Sequence, residues 1–242
     1  MKPLLYFSLF LNLLLLGAAG FALHRLGGWH YAMLRLQHQT TGLYHHRAQH
    51  FERLGERPGS IIFLGDSQTE QAEWHELFGD GPKVLNRGIS GDFTTGVLER
   101  LPEVLRHKPL KIFLLVGVND LIFRNSVPEI ETTYRAIVQK IRANSPDTEL
   151  YLQSVLPLNN DVRKTGATNA KVLELNARIV QIARDFALPY LDIATPLKDA
   201  DGNLSAKFTE DGLHLNGLGY FVWKKEVEKM VQVGQCQVPS SK

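Results

Sequence analysis

The 242 residues contain a single cysteine, Cys236. No disulfide can close within the chain, and no thiolate metal site can be assembled. Charge is close to balanced. There are 27 Lys and Arg against 25 Asp and Glu, a formal net charge of +2, and the basic residues are spread out. Neither a nucleic-acid partner nor an acidic polymer is implied. The chain lacks His-Glu-x-x-His, Gly-x-x-x-x-Gly-Lys and Gly-x-Gly-x-x-Gly, so neither a metal nor a nucleotide cofactor is called for. The Gly-x-Ser-x-Gly elbow of α/β-hydrolases is also missing. No internal repeat is visible.

What is present is an ordinary globular composition, 44% hydrophobic and 21% charged, which fits one domain plus an extra segment. That segment is at the start. Residues 4–23 carry no charge, and only Ser8 and Asn12 are markedly polar. As a helix this run would span about 30 Å, the hydrocarbon thickness of a bilayer. Two readings compete for residues 1–27. One is a signal peptide with a small-residue cleavage region at Gly17-Ala18-Ala19-Gly20. The other, preferred here, is an uncleaved membrane anchor. Lys2 precedes the run while Arg25 and Arg35 follow it, so charge does not orient it. Both readings place the protein at the cell envelope, membrane-anchored or else periplasmic or secreted. Residues 28–58 read as a polar helical tether rich in histidine, with His30, His38, His45, His46 and His50. His46 and His50 would share a helix face and make a possible metal pair. With no carboxylate or thiol at a helical spacing, a solvated face is the better account. Residues 59–233 are the expected domain, and 234–242 a polar tail.

From Ser60 onward strand and helix alternate. Short apolar runs at 61–64, 83–86, 112–116, 149–155 and 189–193 read as strands, with 112–116 the most hydrophobic and central. Stretches 68–78, 94–107, 128–143, 169–186 and 218–231 read as helices. Five such alternations make a parallel sheet covered on both faces. In a sheet of that kind reactive groups collect at the carboxyl ends of the strands.

Four short segments fall at that edge: Gly65-Asp66-Ser67, Ile89-Ser90-Gly91-Asp92, Gly117-Val118-Asn119-Asp120 and Asp211-Gly212-Leu213-His214. Each alone is weak. An Asp-Gly pair is usually a turn, and a serine after a strand is often a helix cap. Their common placement is what carries weight. Ser67 is the candidate nucleophile, and the helix start behind it favours a developing negative charge. His214 is the candidate general base and then acid. His75 reads as a surface or packing residue, and His107 as a cation at a helix C-terminus. Asp211, three residues before His214, is spaced to hold its tautomer. Asn119 offers a side-chain amide, Gly91 a close backbone approach, and Ser67 its own N–H, together a candidate oxyanion hole. Asp66 and Asp120 flank the site and read as residues that brace its loops. No metal ligand set is expected.

These four blocks, in this order, resemble those of the SGNH (GDSL-type) hydrolases over about residues 60–229. The runs Asn86-Arg87-Gly88-Ile89-Ser90-Gly91-Asp92 and Gln153-Ser154-Val155-Leu156-Pro157 look most like the platelet-activating-factor acetylhydrolase-like and carbohydrate O-acetylesterase-like branch. Thioesterase and lysophospholipase types are similar too. Gln68 departs from the leucine of the family signature. The resemblance implies a flavodoxin-like three-layer α/β/α sandwich with a five-stranded parallel sheet. It also implies ester hydrolysis through an acyl-serine without a cofactor.

The substrate is then expected to be a small-molecule, lipid or glycan ester with a short acyl group, acetyl first. The connecting loops are short, and no long lid insertion is available to cover a fatty chain. Leu121-Ile122-Phe123 reads either as an acyl-pocket wall or as packing under the next helix. A lysophospholipase or acyl thioesterase, an envelope-glycan acetyltransferase, and a binding module that has lost its chemistry are the alternatives.

Overall fold

The computed structural model describes residues 2–25, 42–79, 81 and 83–232, with side chains described for 6–21, 42 and from 44 onward in those ranges. Residues 28–41 of the tether, with His30 and His38, and the tail with Cys236 lie outside the described residues. The chain forms two units, residues 1–43 and 44–242.

The first unit contains helix α1 (Lys2–Arg25). Tyr6, Phe7, Phe10, Leu14 and Phe21 are all exposed on it. Among the described residues no helix is long and apolar enough to cross a membrane. The membrane span expected through residues 4–23 is therefore not supported.

All but the first residue of α2 (Leu43–Arg53) belongs to the second unit, and His45, His46 and His50 are exposed on it. The strands are β1 (Ile61–Gly65), β2 (Val84–Gly88), β3 (Lys111–Leu115), β4 (Glu149–Gln153) and β5 (Tyr190–Leu191). They form one sheet in the order β2-β1-β3-β4-β5, with every pairing parallel. β3 is central, as its hydrophobicity predicts. Helices α3 (Ser67–Glu70), α4 (Trp74–Phe78), α5 (Thr94–Leu105), α6 (Val118–Ile122), α7 (Val127–Asn144), α8 (Asn169–Asp185) and α9 (Gly217–Val231) complete an α/β/α sandwich.

Alternation along the strands builds the layers. Ile62, Leu64, Ile112 and Leu114 face one core with Val97 and Leu101 of α5, Ile130 and Tyr134 of α7, and Leu175 and Ile179 of α8. Ile61, Phe63, Phe113 and Leu115 face the other with Trp74 of α4 and Tyr220, Trp223 and Val227 of α9. On that second face four rings stack in a row. Trp74 lies 3.8 Å from Phe63, Phe63 4.8 Å from Phe113, and Phe113 4.7 Å from Tyr151. The last three are register partners on neighbouring strands, so the stack runs across the sheet.

Two expectations differ in detail. The single helix expected at 68–78 is two, α3 and α4. The Asn86 amide donates to the carbonyls of Glu70 and Ala72, diverting acceptors that a continuous helix would use. The last strand shrinks to two residues at the sheet edge.

Candidate active site

β1 ends at Gly65, and a Cβ there would collide with the carbonyl of Leu115 on β3 and the hydroxyl of Thr69. Only glycine permits this approach, and it brings the start of α3 to the carboxyl edge. Asp66 caps α3, its Oδ1 accepting the Gln68 N–H at 3.0 Å. Ser67 is the first helical residue, so its own N–H has no acceptor within the helix.

The Ser67 hydroxyl lies 3.0 Å from His214 Nε2, and His214 Nδ1 lies 2.7 Å from Asp211 Oδ2. Asp211 Oδ1 also accepts the N–H groups of Leu213, at 2.9 Å, and His214, at 2.8 Å. Burial pushes the Asp211 carboxyl up. The hydrogen bonds from the His214 N–H, the His214 ring and the Leu213 N–H outweigh this and hold it at about 2. An ionised Asp211 requires the proton on Nδ1, which leaves Nε2 to accept from the Ser67 O–H. Arg163 adds a cation 3.3 Å from Asp211 Oδ2. The residues expected to work together thus meet in space across 147 positions of sequence.

Asn119 lies on α6, a helix sequence patterning did not predict, directly beyond β3. Its side chain is buried and donates one amide hydrogen to the Asp92 carbonyl at 2.9 Å. The amide has a second donor. Gly91 adopts φ +78°, a conformation favourable only to glycine, in the turn between β2 and α5. Asp120 accepts from the Thr94 N–H at 3.0 Å, the Thr94 hydroxyl at 2.8 Å and the Asn125 amide at 3.3 Å. It ties α6 to the start of α5.

His75 is exposed. His107 is a structural residue as expected, but not through a charge at the helix end. It is fully buried, accepts the Arg57 N–H on Nδ1 at 3.0 Å, and sits beside Arg87 and Glu103. Burial pushes its pKa down, which disfavours the cation there.

Two contributors escaped the sequence analysis. Buried Arg100 donates to Asp92 Oδ2 at 2.8 Å and to the Gly65 carbonyl at 3.0 Å, joining the Gly91 turn to the end of β1. Its signal is an arginine on the same helical face as Val97, Leu101 and Val104. Gln68, the departure from the family signature, is fully buried. Its amide donates to the Leu213 carbonyl at 3.1 Å, binding the Ser67 helix to the His214 loop. Burial also raises two carboxyls, Asp66 to about 7 and Asp92 to about 6, the latter against the opposing pull of Arg100. Asp120 is raised by burial too. Among the described residues no three His, Cys, Asp or Glu side chains gather as a metal site.

A parallel doubly wound sheet that gathers a hydroxyl, an imidazole and a carboxylate at its carboxyl edge defines the class of α/β hydrolytic proteins. Residues 63–221 match the GDSL-like Lipase/Acylhydrolase family, and the chain belongs to that family of ester hydrolases. It is 31% identical over 188 residues to the platelet-activating factor acetylhydrolase IB subunit alpha2 of Rattus norvegicus, covering 75% of this chain and 80% of that one. A solved Streptococcus pneumoniae structure assigned to platelet activating factor is similar at TM-score 0.76 and 28% identity, covering 83% of this chain and 98% of that one. A GDSL-like lipase from Bacteroides thetaiotaomicron shares the fold at TM-score 0.68 and 23% identity, over 78% of this chain and 96% of its own.

Proposed function

We propose that this chain is a serine esterase acting on short-acyl carboxylic esters, acetyl esters first. The observation that carries the reading is the line from Ser67 Oγ through His214 to Asp211, at 3.0 and 2.7 Å. Ser67 Oγ attacks the ester carbonyl while its proton passes to His214 Nε2. Asp211 steadies the imidazolium. The tetrahedral oxyanion takes hydrogen bonds from the N–H groups of Ser67 and Gly91 and from the second amide hydrogen of Asn119. The intermediate collapses, the C–O bond to the alcohol breaks, and the alkoxide leaves with the proton from His214. Water, deprotonated by His214, then attacks the acyl-serine and releases the carboxylic acid and free Ser67. Asp66 and Asp120 hold the loops on which these groups ride.

The acetyl preference is supported by the acetylhydrolase named among the relatives. Phe93 and Phe123, adjoining the Asp92 and Asn119 segments, meet edge to face at 5.2 Å and give the neighbourhood an apolar wall. Leu121 and Ile122 pack into the core instead. A lipid ester fits this setting, as does an acetylated glycan. Location at the cell envelope belongs to this proposal on the strength of the uncharged run 4–23 alone. Alkaline extraction of cell membranes, followed by immunoblotting, tests it.

The deciding experiment is turnover of p-nitrophenyl esters of increasing chain length by the full chain, beside Ser67→Ala and His214→Ala. Rates should be highest for acetate and vanish in both variants, with thermal midpoints retained. Substantial turnover by folded Ser67→Ala defeats the reading. Addition of a sugar acceptor to the same assay separates acyl transfer from hydrolysis.

A further inference from the structure

Helix α2 precedes the family-matched residues 63–221 but belongs to the same unit as the candidate site. It is docked by several contacts. Phe51 is buried, with the Arg47 and Arg87 guanidinium carbons 4.9 and 4.5 Å from its ring centre. Arg106 donates to the carbonyls of Phe51 and Leu54, both at 2.7 Å.

From this base α2 reaches the turn that carries Gly91. The Tyr44 hydroxyl donates to the Gly96 carbonyl at 3.2 Å, in the first turn of α5. Arg47 Nε donates to the Gly88 carbonyl at 2.7 Å and lies 3.3 Å from Glu70 Oε1. The other oxygen of Glu70 accepts the Ser90 N–H. Glu70 is three residues past Ser67 on the four-residue helix α3, and Ser90 immediately precedes Gly91. One carboxylate therefore links the helix of the nucleophile to the turn of the oxyanion donor, and one guanidinium from α2 grips both that carboxylate and the start of the turn.

A turn that runs through glycine at φ +78° has wide backbone freedom unless its neighbours are fixed. A hydrogen bond to an ionised acceptor is among the stronger fixings available. We propose that Arg47 and Glu70 are positioning residues for ester hydrolysis. They set the Gly91 N–H at oxyanion distance from Ser67, which makes α2 part of the catalytic apparatus. This rests on the reading of Gly91 as an oxyanion donor.

The test uses the full chain and p-nitrophenyl acetate. Arg47→Gln and Glu70→Ala should each lower kcat about 10–30-fold with KM within about twofold, since donor misplacement acts on the transition state. Glu70→Gln keeps an oxygen for the Ser90 N–H and should lose less. Arg47→Lys should recover most of the rate. The double variant Arg47→Gln/Glu70→Ala should be no slower than Glu70→Ala alone, because both act through one contact. The proposal is overturned if kcat stays within about twofold of the parent in Arg47→Gln and Glu70→Ala. It is also overturned if any loss merely tracks loss of folded protein. Ser67→Ala in the same assay separates the two failures. A fully active Ser67→Ala sinks the serine esterase reading, whereas an inactive one beside full-rate Arg47 and Glu70 variants sinks only the positioning role.

Discussion

Asn119→Ala should produce two losses that separate cleanly, because the Asn119 amide has two jobs. One amide hydrogen holds the buried Asp92 carbonyl at 2.9 Å. The other is assigned to the oxyanion. Losing an oxyanion donor removes about 2.7–4 kcal/mol of transition-state stabilisation, or on the order of 10²–10³ in kcat. Leaving the Asp92 carbonyl without its donor costs about 1–3 kcal/mol of stability. For a unit of this size that lowers the thermal midpoint by roughly 2–12 °C. KM should barely move, since the donor engages charge that exists only after attack. Steady-state kinetics on p-nitrophenyl acetate reads the first loss, and calorimetry or circular dichroism the second. Asn119→Asp serves as the volume control. It cannot donate when ionised and would set a negative charge beside the forming oxyanion, so its kcat should fall below that of Asn119→Ala. A rise in KM with kcat unchanged would make Asn119 a ground-state binding residue and refute the assignment. A lowered midpoint with kcat intact would leave it only the structural job.

Asp211→Asn should cut kcat severely while the loop keeps its shape. The amide can hold His214 in the wrong tautomer, so the defect should ease at high pH or with a more reactive ester, and a pH–rate profile identical to the parent's would count against it. Burial lifts Asp66 to about 7. The folded chain therefore keeps a proton that the unfolded chain releases near pH 4, and the stability this contributes is present at low pH and drains away as pH rises through about 7. The difference is on the order of 4 kcal/mol. Asp66→Asn keeps a capping oxygen for the Gln68 N–H, so urea midpoints measured at about pH 5 and about pH 8 should converge relative to the parent. An unchanged pH slope would refute it. Chelators should leave turnover unaffected, and a loss in EDTA that zinc reverses would overturn the cofactor-free scheme.

The sheet and the edge on which the site lies were legible because both follow from local patterning. Apolar runs of strand length separated by helical periods leave few topologies, and all four motifs fall in connections that leave the carboxyl ends of strands: at β1 and β3 directly, in the turn after β2, and in the long stretch after β5. That Ser67, Asp211 and His214 would meet could be expected because a nucleophile–base–carboxylate line constrains residue type and spacing. What stayed hidden depends on tertiary partners. α6 is five residues long, too short for a periodic signal. The interruption after α3 is made by Asn86, on the neighbouring strand. His107 read as a cation because the helix end is visible in sequence, whereas the burial that disfavours its charge is not. The docking of α2 rests on Phe51 and three arginines scattered over 60 positions.

The buried charges near Ser67 also explain why Arg100 belongs there. Asp66, Asp92 and Asp120 are all buried at the edge that carries the proposed oxyanion site, and the negative charge of Asp120 raises both Asp66 and Asp92. Ionised together beside one guanidinium they would leave net negative charge at the proposed oxyanion site. The arrangement avoids this unequally. Asp92 is paired with Arg100, and Asp120 accepts from Thr94 and Asn125. Asp66 has only the Gln68 N–H on one oxygen and no hydrogen-bond partner on the other. Of the three it is the carboxyl lifted to about 7. Burial favours its neutral form, which lessens the negative charge beside Ser67, while its shape still caps the helix. On the proposed mechanism the three acids near Ser67 serve geometry, and the negative charge it calls for sits on the far side of His214, at Asp211.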